Sequence, residues 1–173
     1  CINEEQFAHA IIEKRMSAAT PKEKAFAESF SLATLAYYGN RFEEALNHFN
    51  HALEIKPDAH QAWGNRGIAL DDLGKHEEAI ASYDRALEIK PDKDEAWYNR
   101  GITYLGEFVS LVEEENFAIA KQKWNEALRS LHQVRTEKTQ EVLSSLLLET
   151  ARAGHLRFVR ELIAESNLEE EVF

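Results

Sequence analysis

Ala52-Leu53-Glu54-Ile55-Lys56-Pro57-Asp58 returns unchanged as Ala86-Leu87-Glu88-Ile89-Lys90-Pro91-Asp92, a step of 34 residues. The step holds outside the block: Ala62-Trp63-Gly64-Asn65-Arg66-Gly67-Ile68 returns as Ala96-Trp97-Tyr98-Asn99-Arg100-Gly101-Ile102, with one change. Ala45 and Phe49 map onto Ala79 and Tyr83 by the same offset. A fixed period of this length marks an array in which each unit buries its apolar face against its neighbours.

Each unit reads as two antiparallel helices. In residues 60–93, Trp63, Gly67 and Leu70 share one helical stripe, and Ala79, Tyr83, Ala86 and Leu87 share another. Small residues at 67, 79 and 86 allow close backbone approach, and Trp63 and Tyr83 fill the space between. Gly74 stands where the first helix must end in a left-handed residue, and Pro91 follows the second helix, which it cannot continue. Asp58-x-x-Gln61 and Asp92-x-x-Glu95 have the form of capping boxes that start the following helices.

These residues resemble the tetratricopeptide repeat, whose pattern is Trp-x2-Leu-Gly-x2-Tyr, then Ala-x3-Phe, then Pro over 34 residues. The resemblance is to the bacterial, multi-repeat kind. It implies an all-α, right-handed α-α superhelix of about three helix-hairpin repeats, at about 26–59, 60–93 and 94–135. In the third, Trp97, Gly101 and Tyr104 fit, but Ala120, Trp124, Ala127 and Leu128 fit only after about seven extra residues near 106–115. Shared between the two arms, seven residues add about one turn to each. A bulged loop at Glu113-Glu114-Glu115-Asn116 is the alternative. His132 stands where the closing Pro belongs, so the second helix is expected to run to about Arg135. Arg66 and Arg100 replace the pattern's Leu, so their stems should pack while their heads find a carboxylate or a carbonyl.

The flanks divide the chain into an N-terminal helix (1–20, with an amphipathic stretch over 3–16 carrying Phe7, Ile11 and Ile12), the array (21–135) and a C-terminal capping hairpin (136–173). Thr20-Pro21-Lys22-Glu23 combines a capping box with Pro at the first helical position and predicts a helix to Tyr38. Thr136 caps a helix to about Ala151 carrying Val142, Leu143, Leu146, Leu147 and Leu148. Gly154 ends it, and a last helix from about His155 to Ala164 buries Leu156, Val159, Leu162 and Ile163. The abrupt ends, Cys1 and Glu169-Glu170-Glu171-Val172-Phe173, suggest a fragment of a longer chain.

Composition narrows the function. With 31 acidic against 20 basic side chains and a net charge of −11, the chain lacks the concentrated Lys and Arg that a phosphate backbone demands, so no nucleic-acid partner is expected. Residues 119–160 carry 8 basic and 4 acidic side chains, spread along helices as a solvated face. No apolar stretch approaches 18 residues, so no membrane span is expected, and the single Cys fits a reducing, cytoplasmic setting. His48-x-x-His51 is the one close His pair, at positions whose repeat equivalents, Ser82 and Arg85, read as outward-facing; a metal there would need a third ligand. Cys1 has no local His partner, and Gly64-x-x-Gly67 follows no strand. No enzyme activity, cofactor, metal or catalytic residue is therefore assigned.

The resemblance instead implies protein or peptide binding on the inner wall lined by the first helix of each unit. By family position, the groove residues are Gln61, Gly64, Asn65, Ile68, Asp71, Asp72, Glu95, Tyr98, Asn99, Ile102 and Leu105, with Phe30 and Thr34 from the first unit. Asn65 and Asn99 each offer an amide donor and acceptor to a bound backbone. Chaperone-binding members clamp a C-terminal carboxylate with Lys, Asn, Asn, Lys and Arg. Those positions here read Phe30, Thr34, Asn65, Glu95 and Asn99, so an acidic tail should be repelled. A self-associating scaffold, with the insertion residues Phe108, Val109, Leu111 and Val112 as contacts, and a regulatory arm of a larger enzyme such as an NTPase are the alternative readings. A monomer or weak homo-oligomer is expected.

Overall fold

The computed structural model describes residues 19–134 and 136–166, and the helix expected over 3–16 lies outside them. In chain order the helices are α1 (Pro21–Tyr38), α2 (Phe42–Ile55), α3 (His60–Asp72), α4 (His76–Ile89), α5 (Asp94–Glu113), α6 (Phe117–Leu131), α7 (Glu137–Thr150) and α8 (Leu156–Ser166); a wide π-type turn, Ala151–His155, joins the last two. Helices α1–α2, α3–α4 and α5–α6 form hairpins, α2 packs on α3 and α4 on α5, and α1, α3 and α5 lie side by side. This is the all-α solenoid of helix hairpins that the resemblance implies.

The small positions work as spacing devices. A Cβ on Gly67 would lie 2.5 Å from Tyr83 Cε1, so the ring of α4 sits directly on the backbone of α3. Turn geometry also repeats: Asn40, Gly74 and Glu115 all adopt positive φ, at 56°, 72° and 56°, at the equivalent point of the three hairpins. Only the second hairpin has the glycine that adopts this conformation without strain.

Three local expectations are corrected. Asp58 and Asp92 cap nothing: the N-cap residues are Ala59 and Lys93, with no side-chain cap on either helix. Trp63 Nε1 donates to the Pro57 carbonyl and Trp97 Nε1 to the Pro91 carbonyl, both at 2.8 Å. The indole therefore fixes the Pro-Asp turn outside the helix, a role the motif alone does not reveal. Ser82 does not face outward; it is 1% exposed and receives the Arg66 guanidinium. His48, its repeat counterpart, is half-buried.

The seven extra residues enter one helix only. Helix α5 has 20 residues against 13 in α3, whereas α6 has 15 against 14 in α4. The left-handed turn at Glu115 keeps its form, so neither a bulged loop nor an even division forms; α5 absorbs two turns, about 10 Å, on its own. Helix α6 is thereby displaced along α5. Phe108, not Gly101, meets Trp124, with ring centroids 5.2 Å apart, and a Cβ on Gly101 would lie 2.6 Å from Leu131 Cγ. Helix α6 ends at Leu131 rather than near Arg135, and a turn over 132–134 follows.

The displaced hairpin builds the largest apolar cluster. Phe108, Val112 and Trp124 pack with Leu143 and Leu147 of α7 and with Phe158, Val159 and Leu162 of α8. Two of the residues considered for self-association, Phe108 and Val112, are thus buried here. Both expected capping boxes form at Thr20 and Thr136, the latter with Thr139 in the reciprocal position. Gly154, at φ 102°, turns the chain into α8. Leu156, expected inside, is about half exposed, and Phe158 takes an inner place instead; Leu148 is half exposed as well.

Candidate functional site

The inner wall is formed by α1, α3 and α5. Between them lies a cavity of about 170 Å³ lined by Phe30, Gln61, Asn65, Ile68, Glu95 and Asn99, with His60, Gly64 and Lys93 at its edge. A second hollow of about 110 Å³ continues it through Thr34, Tyr37, Tyr38 and Phe49, sharing Asn65, Ile68 and Glu95. Five of the eight principal groove residues, Gln61, Asn65, Ile68, Glu95 and Asn99, therefore meet in one place.

Three do not. Tyr98 and Ile102 pack against the C-terminal cluster, and Lys138 Nζ of α7 stands 4.9 Å from the centre of the Tyr98 ring. These two occupy the positions that Gly64 and Ile68 hold in the preceding repeat; there the wall is open, whereas here α7 covers it. Leu105 is buried in the same cluster. Asp72 lies beside Tyr37, whose phenol is pushed up to about 12 by burial and then by that carboxylate.

The polar groups of the cavity suit hydrogen bonding to a backbone. The side-chain amides of Asn65 and Asn99 take no partner among the described residues. Glu95, at the rim, is within 3.7 Å of Lys93 Nζ. His60 Nδ1 is buried without a partner, and burial, followed by Lys90 and Lys93, lowers its pKa from the ordinary 6.5. The floor is apolar, from Phe30 and Ile68.

Arg66 and Arg100 lie on another face and serve the array. Arg66 Nε donates to Asn50 Oδ1 at 2.7 Å; Arg100 Nε meets Asp84 Oδ1 at 2.7 Å, and its other arm donates to Ser130 Oγ. Positions 50 and 84 are one repeat apart, so each arginine ties its helix to the hairpin before it. Sequence reasoning missed a larger cleft, about 570 Å³, lined by Trp97, Arg100, Glu126, Leu128, Arg129, His132 and Gln133. The two-turn displacement of α6 produces it, because α6 no longer reaches the first turns of α5. Among the described residues no group of three or more His, Cys, Asp or Glu is placed to share a metal ion, and no helix is long and apolar enough to cross a membrane.

Comparison with known proteins agrees with this architecture. The tetratricopeptide repeat profile matches residues 30–94. No curated protein matches the chain. Among solved structures, the Arabidopsis OM64 TPR domain superposes with a TM-score of 0.54 at 18% identity, covering 72% of this chain and 96% of that one. The second TPR of Spaghetti (RPAP3), bound to the HSP90 peptide SRMEEVD, gives 0.53 at 18% identity over 65% and 91%. The crystal structure of MamA gives 0.49 at 21% identity over 62% of this chain, which spans only 58% of MamA. Residues 30–94 of this chain are thus similar to the tetratricopeptide repeat, and the 34-residue step and nested hairpins have the form of that fold.

Proposed function

We propose that the chain binds an extended segment of a partner protein in the open part of its inner wall, the part formed by α1, α3 and the first turns of α5. The observation that carries this reading is the pair of amides on Asn65 and Asn99, one repeat apart and facing one cavity over the apolar floor of Phe30 and Ile68. Two such amides pair with successive backbone groups of a peptide, while the floor accepts an apolar side chain. No catalytic step is part of this reading.

The ligand chemistry follows from the wall's charge. Glu95 stands where the carboxylate clamp of chaperone-binding members has a cation, and Phe30 and Thr34 offer no charge to a terminal carboxylate. A neutral or basic segment with an apolar anchor fits; an acidic C-terminus does not.

A displayed library of random 12-residue peptides selected on the wild-type chain tests both statements. The best binder should lose about tenfold or more in affinity on the Asn65→Ala, Asn99→Ala variant, since each lost hydrogen bond is worth about 1 kcal/mol. Equal affinity would place binding elsewhere. Micromolar affinity for SRMEEVD would overturn the exclusion of acidic tails.

A further inference from the structure

Among the described residues, both partly exposed tryptophans and both tyrosines of α5 carry a cation of the chain over their rings. Arg66 and Arg100 lie 5.7 Å from the ring centres of Trp63 and Trp97, Arg100 lies 5.2 Å from that of Tyr104, and Lys138 4.9 Å from that of Tyr98. Each is held by the negative face that an aromatic ring presents. Tyr37 and Tyr38, at the end of α1, have no such cation among the described residues. Their ring centroids are 5.7 Å apart with the planes inclined at 72°, and Tyr38 is 79% exposed. Two tyrosine rings thus stand open where the chain elsewhere supplies its own cation.

Both rings line the hollow of about 110 Å³ on the inner wall, together with Phe49, Ile68 and Glu95. Three aromatic rings and one carboxylate therefore surround a single small space. Glu95 is the only charged side chain lining it; its ion-pair partner Lys93 stands 3.7 Å away, longer than a hydrogen bond, and lines the neighbouring cavity instead. The Tyr37 phenol donates to the Asp72 carboxylate, which leaves that ring richer in electrons. An apolar occupant would fill the space but offer Glu95 nothing, whereas a cation meets the rings and the carboxylate together. The geometry points to a cation subsite: the hollow bounded by Tyr37, Tyr38, Phe49 and Glu95 takes the charged head of one lysine or arginine side chain of the bound segment. This rests on the groove reading above and adds which side chain of the segment is recognised. Asn65, Ile68 and Glu95 line both hollows, so a segment held by Asn65 directs a neighbouring side chain between the tyrosines.

The test uses the best 12-residue peptide selected on the wild-type chain, with each of its lysines and arginines replaced singly by norleucine, which keeps an aliphatic stem and removes the charge. Calorimetry compares these peptides on the wild type, on Tyr38→Leu and on Glu95→Gln; both positions are exposed, and melts confirm that the variants fold. One basic residue should prove critical, its replacement weakening wild-type binding about fivefold or more. On Tyr38→Leu, and again on Glu95→Gln, the same replacement should cost clearly less, because the partner has already been removed. A peptide that needs Asn65 and Asn99 but tolerates norleucine at every basic position would overturn the subsite and leave the groove reading standing. Coupling to Glu95 without coupling to Tyr38 would also overturn it, since that is a surface ion pair without the rings. A peptide indifferent to the Asn65→Ala, Asn99→Ala variant would remove the groove reading, and the subsite with it.

Discussion

The hairpins α3–α4 and α5–α6 carry the same landmark residues and place them differently. In the first, Gly67 receives the Tyr83 ring and the wall residues Asn65 and Ile68 remain open. In the second, Gly101 receives Leu131, Phe108 takes the aromatic partner, and Tyr98 and Ile102 lie under α7. Two turns inserted into one helix account for all of this. They leave the start of α5 matched to the preceding repeat while shifting α6, and with it the C-terminal hairpin, along the array. One unit thus leaves its inner wall open, and the next mostly closes the core.

This contrast sets the size of mutational effects. Trp124→Ala should be the most damaging, at about 3–5 kcal/mol, because the indole is fully buried in the cluster that unites α5, α6 and α8. Chemical denaturation should also show the C-terminal hairpin lost with it. Gly67→Ala follows, at roughly 1–3 kcal/mol, since its Cβ meets a ring that cannot flex. Gly101→Ala should cost less than Gly67→Ala, because the Leu131 side chain can change rotamer; equal costs would show that the displaced hairpin is packed as rigidly as the regular one. Glu115→Gly should stabilise by about 0.5–1 kcal/mol, bringing the third turn to the residue type the second already has at Gly74.

The smallest effect concerns pH. His60 has a folded-state pKa below the unfolded 6.5, so the unfolded chain binds the proton more readily. Stability is then full above pH 6.5 and falls as the pH drops from there towards the folded value. His60→Gln should flatten that slope in melts from pH 7.5 to 5, while a slope identical to wild type would assign it to other groups.

What was legible in the sequence was whatever repeats. The helices α2, α3 and α4 follow from the offset, because like residues in like surroundings repeat their packing, whereas the start of α1 was legible in the capping box at Thr20. The Asp58 and Asp92 caps were misread because the pattern does not say which residue enters the helix first, and the indole bonds at the turn join residues six apart in the chain. Where the period breaks, sequence could count the seven extra residues but not apportion them. That depended on the turn at Glu115 and on the core that Phe108 and Val112 could reach. The inner-wall cavity was legible to the same extent: Asn65 and Asn99 repeat and both line it, whereas the covering of Tyr98 came from α7, which has no counterpart in the repeat.

The account rests on a wall that is open at Asn65 and closed at Tyr98. Calorimetric titration of the selected peptide into Asn65→Ala and Tyr98→Ala, beside their melts, tests this most directly. The account predicts about fivefold weaker binding at an unchanged melting temperature for Asn65→Ala, and unchanged binding at a lower melting temperature for Tyr98→Ala. The reverse pattern, with Tyr98→Ala abolishing binding and Asn65→Ala indifferent, would contradict it.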